Sequence, residues 1–425
     1  MRVLFISNLY PPYFLGGYEL ACSEVVHELI DRGHEVLVLT SFSHVPAPLE
    51  PEYINRCLDL RCFHPLGTDA KFIEYNRFEA SCSNLQNTYE VSKAIRRFNP
   101  DVVYCWNLYG IGGLAIVDLL TMVGVPWVLH LMDNIPGLLL NQTAPKIHAI
   151  FSRANYDIFR DARIIAMSAH LLSEVYDTTG ITFRRGVEII PGWVASRGLL
   201  VRSTYQCEGR TRFAMAGTIE AHKGVELILQ AAAHLLRQGL VNFDIDFYGS
   251  GSIDHYRSMA IGLDLCNHVR FLGERKKSEL LKQYQNYDVF LFPVWEREPF
   301  GIAPIEAAAC GCVPIITSAC GVAEQLVGEV HCLKTERTVE ALAETMRAVV
   351  CRQVDLPRLR QAVVALVRSD LTIDRCLDRI EKVLEGERRN WDQSVLNDIK
   401  FPLLIHTKHY FARFLASKAE AINTE

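Results

Sequence analysis

The sequence has no excess of positive charge, no long apolar run and no cysteine pair with C-x-x-C spacing. Its 425 residues include 44 Lys and Arg against 49 Asp and Glu, a formal net charge of −5. A nucleic-acid-binding surface needs an excess of basic residues, so we expect no nucleic-acid partner. No apolar run is long enough to span a bilayer, and no basic and then apolar leader precedes the first predicted strand. We therefore expect a cytoplasmic protein.

The cysteines indicate free thiols. There are 13, an odd number, scattered from Cys22 to Cys376, as is typical of a reducing compartment. Cys310 and Cys312 are close in sequence, but cysteine is a common small core residue. We predict no metal site and no cofactor.

Length and periodicity predict two α/β domains, residues 1–200 and 205–375. A chain of 425 residues exceeds the size at which a single core stops growing. Short buried strands alternate with helical patterns, which is typical of doubly wound parallel sheets. The strands are predicted at 2–7, 35–40, 101–105, 126–131, 163–168 and 187–190, and then at 212–216, 243–248, 289–292 and 313–317. Residues 41–84 stay unassigned.

Two glutamates follow the strand that ends at Pro293. Glu298 lies on the next loop, and Glu306 lies on the helix that Gly301 introduces. The unpaired N–H groups and positive dipole end of that helix favour an anionic or hydroxyl-rich ligand. The spacing of the carboxylates fits contact with two parts of one elongated ligand. The alternative is two solvated glutamates at a helix start.

This segment resembles the E-x7-E signature of family 4 of the retaining GT-B glycosyltransferases. The resemblance implies that Glu298 contacts the donor hexose and that Glu306 holds the ribose. It implies that the backbone amides of Phe300, Gly301 and Ile302 meet donor hydroxyls or phosphate. The implied fold is GT-B, two Rossmann-like domains facing an interdomain cleft.

A second segment, residues 217–224, resembles the family's G-R-x4-K-G element. The resemblance implies that Gly217 and Thr218 contact the donor and that Lys223 neutralises its diphosphate. Thr218 replaces the usual Arg, so this task falls to Lys223 and helix N-termini, with His222 as an open alternative. A lysine after a turn can also be merely solvated.

Three N-terminal features are weaker. Gly16 and Gly17 resemble the family's Gly-Gly loop, which approaches the donor phosphate, and glycines permit close backbone approach and positive φ. The family's catalytic His-Asp pair stands here as Met132-Asp133, so the resemblance implies a catalytic role for Asp133. His130 points to the same side of its strand as Met132 would. His130 either replaces the catalytic His or is an inert core residue, and both alternatives stay open.

Further positions depart from the family pattern or resemble motifs of other proteins. Trp106 stands where the family commonly has His, and residues 191–193 stand where Asn-Gly is common, which predicts an unusual acceptor side. Asp244 and Asp246 spell D-x-D inside a predicted strand and are interpreted as structural. Residues 249–251 lack the dinucleotide-binding spacing and are interpreted as a turn. Residues 275–277 form a short basic run, typical of a solvated face.

The resemblance covers roughly residues 1–385 and includes a G-x-x-E element at 321–324. It implies metal-independent, retaining transfer of a hexose from a UDP- or GDP-sugar to a glycan, lipid-linked or small-molecule hydroxyl acceptor. A GT-B-fold epimerase, which needs no acceptor, remains an alternative. So does a donor-binding protein without catalysis, which Thr218 and Met132 favour. The presence of Glu298, Glu306 and Lys223 opposes that alternative.

The family's final helix typically returns to the N-terminal domain, so the same is expected of residues 376–425. Beyond it, Leu404, Phe411 and Leu415 share a helical face near several cations. That face either packs on the protein's own surface or makes peripheral contact with the cytosolic face of a membrane. Membrane contact would favour a lipid-linked acceptor.

Overall fold

The computed structural model describes residues 1–42, 50–61, 70–141, 158–195, 209–294 and 297–398. These residues divide into two compact units. Within the described ranges, the first unit comprises Met1–Ala166, Leu171–Ile189 and the residues from Ile380 onward. The second comprises Met167–His170 and Ile190–Arg379.

The described part of the first unit is built on a seven-stranded parallel sheet. Its strands are β1 (Arg2–Ile6), β2 (Glu35–Ser41), β3 (Ile54–Leu58), β4 (Val102–Cys105), β5 (Trp127–Leu131), β6 (Arg163–Ala166) and β7 (Val187–Ile189). Their order is β3-β2-β1-β4-β5-β6-β7. The central strands are apolar and almost fully buried, as expected of strands covered on both faces.

The second unit contains a six-stranded parallel sheet in its described residues. Its strands are β8 (Thr211–Ala216), β9 (Phe243–Tyr248), β10 (Val269–Gly273), β11 (Val289–Phe292), β12 (Val313–Thr317) and β13 (Leu333–Thr335). Their order is β10-β9-β8-β11-β12-β13, so β8 and β11 are neighbours at the centre. The loops that follow these two strands therefore begin side by side.

Helices connect the strands throughout the described chain. They are α1 (Gly17–Asp31), α2 (Ala70–Ser81), α3 (Leu85–Phe98), α4 (Gly113–Val123), α5 (Ile135–Asn141), α6 (Ala169–Thr179), α7 (Val225–Arg237), α8 (Ile253–Gly262), α9 (Lys277–Tyr284), α10 (Ile302–Ala309), α11 (Val339–Val350), α12 (Leu356–Asp370), α13 (Ile373–Glu387) and α14 (Val395–Asp398). Side chains cap several of them: Asn84, Thr338 and Asp355 each accept a hydrogen bond from a first-turn N–H. Such caps satisfy N–H groups that the helix itself leaves unpaired.

The parallel sheets and the strands 243–248, 289–292 and 313–317 are confirmed. Strands β10 and β13 are absent from the predicted set, and β3 and α2 fall in the unassigned residues 41–84. The three missed strands share one property, because each lies at the edge of its sheet. Edge strands carry polar residues and lack the continuous apolar run that identifies buried strands.

Candidate active site

The Glu298 loop connects β11 to α10 and is tied to the segment that follows β12. The N–H of Gly321 donates to the carbonyl of Glu298 at 3.1 Å, and the N–H of Val322 donates to the carbonyl of Phe300 at 2.8 Å. The acceptors are carbonyls on either side of Pro299. The backbone that carries Glu298 is therefore fixed by a neighbouring element.

Helix α10 begins directly after Gly301. Gly301 has φ of 96°, and a Cβ there would lie 2.7 Å from the Phe292 ring, so only glycine fits. Among the described residues, the backbone N–H groups of Phe300, Gly301 and Ile302 have no acceptor within the protein. These N–H groups carry the positive end of the helix dipole, which favours an anionic or hydroxyl ligand.

Lys223 lies in the loop after β8, at the end of the 3₁₀ turn Ala221–Lys223. The next residue, Gly224, has φ of 81° and precedes α7. A Cβ on Gly224 would overlap the carbonyl oxygen of Pro293, so glycine allows the two loops to touch. This contact carries Lys223 to the Glu298 loop.

The two predicted site residues Lys223 and Glu298 form an ion pair through Nζ and Oε2. Their side chains are 21% and 15% exposed, so the pair is largely sheltered from water. The Lys223 ammonium also lies 6.0 Å from the centre of the Phe292 ring. The structure thus brings together two groups that the sequence analysis assigned to separate parts of a ligand.

The rest of the Lys223 loop is largely exposed, and hydrogen bonds to a neighbouring loop stabilise it. Gly217, Thr218 and His222 are exposed. The Glu220 carboxylate accepts hydrogen bonds from the backbone N–H and hydroxyl of Ser252, at 3.1 and 2.8 Å. No local sequence pattern predicts this contact, because the two residues lie on different loops.

Glu306, in the second turn of α10, pairs with a residue that the sequence analysis set aside. The Lys277 ammonium lies 3.0 Å from Oε1 of Glu306. Residues 275–277 are exposed, as expected of a solvated face, and Lys277 in addition pairs with Glu306. The sequence places Lys277 at the start of a helix, but it does not show which residue Lys277 contacts. The contact joins two helices, and no local sequence pattern predicts it.

Ser168 and Glu324 are further polar residues of the second unit that the sequence analysis did not connect. The Ser168 hydroxyl donates to the carbonyl of Pro299 at 2.6 Å, next to Glu298. The Glu324 carboxylate accepts from the backbone N–H groups of Ala169 and His170, at 2.9 and 2.7 Å. Glu324 therefore caps a helix start, which gives the G-x-x-E element a structural task.

In the first unit, Gly16 and Gly17 introduce α1. Gly16 has φ of −166°, an extended conformation that any residue adopts, so positive φ as its reason is wrong. A Cβ at Gly16 would meet no atom within 4 Å. The Glu19 carboxylate accepts from the N–H groups of Gly16 and Leu15, at 3.1 and 3.3 Å. Among the described residues of the first unit, nothing explains the glycine at position 16.

His130 is fully buried among aromatic residues. Its Nδ1 is 2.6 Å from the hydroxyl of Tyr104, and its ring centre is 4.4 Å from that of Trp106. Burial lowers the pKa of His130 to about 3, so the imidazole is neutral at physiological pH. These observations favour the core alternative. Trp106, at the position where the family commonly has His, is part of the same buried cluster.

Asp133 lies at the start of α5. Its carboxylate accepts from the N–H of Asn134 at 2.6 Å, and its carbonyl accepts from the N–H of Ile135 at 2.8 Å. The preceding residue, Met132, is buried. These contacts give Asp133 a local structural role, and its catalytic role stays a prediction.

The D-x-D residues have protein partners. Asp246 is buried in β9, where its carboxylate accepts two hydrogen bonds from Arg270 at 2.7 and 2.6 Å and one from the Tyr287 hydroxyl at 2.6 Å. Asp244 pairs with Arg210 at 3.0 Å. Within the described ranges, no three His, Cys, Asp or Glu side chains cluster closely enough to hold a metal ion.

The tail carrying Leu404, Phe411 and Leu415 lies outside the described residues. Within them, no helix combines the length and apolarity needed to cross a membrane.

Comparison with known proteins adds family models, a curated relative and solved structures. Residues 203–362 match the model of glycosyl transferases group 1, and residues 15–195 match that of glycosyltransferase family 4. An uncharacterized glycosyltransferase of Methanocaldococcus jannaschii is 25% identical over 350 residues, 78% of this chain and 84% of the relative.

Two solved structures share the fold. Sucrose-phosphate synthase of Thermosynechococcus elongatus has a TM-score of 0.67 and 15% identity, over 91% of this chain and 98% of that one. The Anabaena protein HepE, solved with UDP, has a TM-score of 0.65 and 17% identity, over 91% and 100%. HepE has also been solved with UDP-glucose. These neighbours are GT-B proteins, and the predicted fold class is confirmed.

Proposed function

The chain belongs to the glycosyltransferases of group 1, and we propose that it transfers a hexose from a UDP- or GDP-sugar to a hydroxyl acceptor with retention of configuration. The observation that carries the proposal is the Lys223–Glu298 ion pair next to the N–H groups at the start of α10, which have no acceptor among the described residues. A cation, helix amides and a carboxylate together match a ligand that carries phosphate at one end and hydroxyls at the other.

The positive groups are assigned to the diphosphate. Lys223 offers a compact ammonium, and the amides of Gly301 and Ile302 add the dipole of α10. Both act where negative charge develops as the sugar leaves the diphosphate, and fixed charges of this kind stabilise a transition state. In this proposal they supply the stabilisation without a metal ion.

The two carboxylates are assigned to the two ends of the donor. Glu298 lies three residues before Gly301, while Glu306 lies four residues into α10 from Ile302, about 6 Å along the helix axis. Glu298 accepts hydrogen bonds from hexose hydroxyls, and Glu306 accepts them from the ribose. Because Lys223 pairs with Glu298, the hexose carboxylate and the phosphate cation are already adjacent.

Retention follows if the acceptor approaches on the face from which the diphosphate departs. The bond between the sugar C1 and the phosphate oxygen breaks, and the bond between C1 and the acceptor oxygen forms on the same face. The acceptor proton passes to an oxygen of the leaving diphosphate. Lys223 and the α10 amides hold that diphosphate in place throughout.

A donor and acceptor screen tests the proposal. The full chain is incubated with UDP-glucose, UDP-galactose, UDP-N-acetylglucosamine or GDP-mannose, together with sugar, inositol and lipid-linked acceptors. The proposal predicts release of UDP or GDP and formation of a glycosylated product, unchanged by a chelator. Incubation with donor alone is the control, because an epimerase converts the donor without an acceptor. Donor binding without turnover under every condition would contradict the proposal.

A further inference from the structure

Lys277 is outside every motif that the family resemblance covers, yet it contacts Glu306. It is the first residue of α9, and its Nζ lies 3.0 Å from Glu306 Oε1. The Glu306 side chain is 13% exposed and that of Lys277 is 41% exposed. The carboxylate is therefore mostly withdrawn from water, while the ammonium reaches it from the solvent side.

Tyr284 extends the same face of α9. It lies seven residues after Lys277, two helical turns, so the two side chains share a face. Its side chain is buried, and among the described residues its hydroxyl has no hydrogen-bond partner. Burial, and next the negative charge of Glu306, raise the pKa of Tyr284 well above its usual value. One face of α9 thus carries the cation that pairs with Glu306 and, two turns further on, a buried neutral hydroxyl.

We propose that Lys277 is a positioning residue for the nucleoside half of the donor, and that through Glu306 it makes the enzyme select ribonucleoside over deoxyribonucleoside diphosphates. This inference rests on the proposed function, in which Glu306 binds the ribose. A carboxylate has room for several hydrogen bonds, so an ammonium on Oε1 leaves positions for ribose hydroxyls. Lys277 acts by fixing where those positions point.

The ion pair differs from an ordinary surface pair. Exposed pairs contribute little because water screens them and both side chains are mobile. Here one partner is mostly buried on a helix with buried neighbours on both sides. Removing the cation would leave a sheltered carboxylate uncompensated and free to change rotamer. The loss should appear in donor binding and in ribose discrimination more than in turnover.

The test measures binding of UDP, 2′-deoxy-UDP and 3′-deoxy-UDP, or of the guanosine series, by titration calorimetry with the full chain. Wild type should bind the ribonucleotide about tenfold more tightly than at least one deoxy form, the size of one hydrogen bond to a charged group. Lys277→Met should lose about tenfold in affinity for the ribonucleotide, and its ribo-to-deoxy ratio should fall toward one. Lys277→Arg should restore the ratio, because it keeps the charge.

Two further variants separate this inference from simpler explanations. Lys276→Met removes the neighbouring exposed lysine and should bind like wild type. Glu306→Ala should abolish discrimination, and Lys277→Met added to it should change nothing more. If Lys277→Met keeps the wild-type affinity and ratio while wild type binds UDP or GDP, the inference is overturned and the proposed function stands. If wild type binds neither nucleotide, both fail.

Discussion

Lys223 and Glu298 form an ion pair that joins the loop after β8 to the loop after β11. The pairing depends on the order of the second sheet, in which these two strands are neighbours. It depends also on Gly224, whose missing side chain lets one loop lie against Pro293 of the other. The Lys223 ammonium and the Glu298 carboxylate are thereby held next to each other in the second unit.

Lys223→Ala should reduce kcat/KM at least about a hundredfold, as expected when one charge that stabilises a transition state is removed. The fold should survive, and a thermal unfolding curve checks this. Lys276→Ala is the control, because Lys276 is a lysine near a loop end in the same unit that is exposed and lies outside the proposed donor site. Turnover like that of wild type in the Lys223 variant would contradict the assignment of Lys223 to the diphosphate.

Gly224→Ala should lower the stability of the protein, whereas Gly16→Ala should leave it unchanged. At Gly224 a Cβ would overlap Pro293 and φ is positive, so we expect a loss of about 1–3 kcal/mol in the free energy of unfolding. At Gly16 the backbone is extended and the space is open, so stability should stay within about 0.5 kcal/mol of wild type. Urea unfolding measures both.

Gly16→Ala also tests the Gly-Gly resemblance. If the backbone at Gly16 approaches the donor, as that resemblance implies, the variant should raise the Michaelis constant for the donor without losing stability. An unchanged Michaelis constant would leave position 16 with no role in donor binding.

Much of the fold and the main charged residues could be predicted from the sequence, for identifiable reasons. Buried parallel strands such as β4 and β11 leave continuous apolar runs, and Glu298 and Lys223 lie in short segments with recognisable spacing. The pairing of Lys277 with Glu306 could not be predicted, because it depends on how α9 packs against α10. His130 shows the same limit. Strand periodicity predicts the face of the strand on which its side chain lies, but only the fold shows that this side chain is buried.

His130 should make the free energy of unfolding decrease as the pH falls below 6.5. Its pKa is lowered to about 3 in the folded protein from 6.5, so the unfolded chain binds the proton more readily. The contribution of His130 is complete above pH 6.5 and is lost at roughly 1.4 kcal/mol per pH unit as pH falls toward 3. Urea unfolding of wild type and His130→Gln between pH 7 and pH 5 measures this. Parallel pH dependence in both proteins would show that His130 contributes nothing.

Deleting residues 400–425 distinguishes the two hypotheses for the tail, which are contact with a membrane and packing on the protein's own surface. The tail is basic and apolar. If it binds lipid, the full chain should float with anionic liposomes, and a chain without these residues should not. Equal flotation of both forms, or none by the full chain, would remove the membrane hypothesis. Activity on soluble acceptors should be the same in both forms, which serves as the folding control.

We propose a retaining transfer that depends on Lys223 and Glu298 in this group 1 glycosyltransferase. Its most direct test is proton NMR of the product formed early in the reaction, which gives the anomeric configuration at the transferred sugar. An α-linked donor should give an α-linked product in the presence of a chelator, and Lys223→Ala should form it far more slowly. A β-linked product from the same donor would contradict the account.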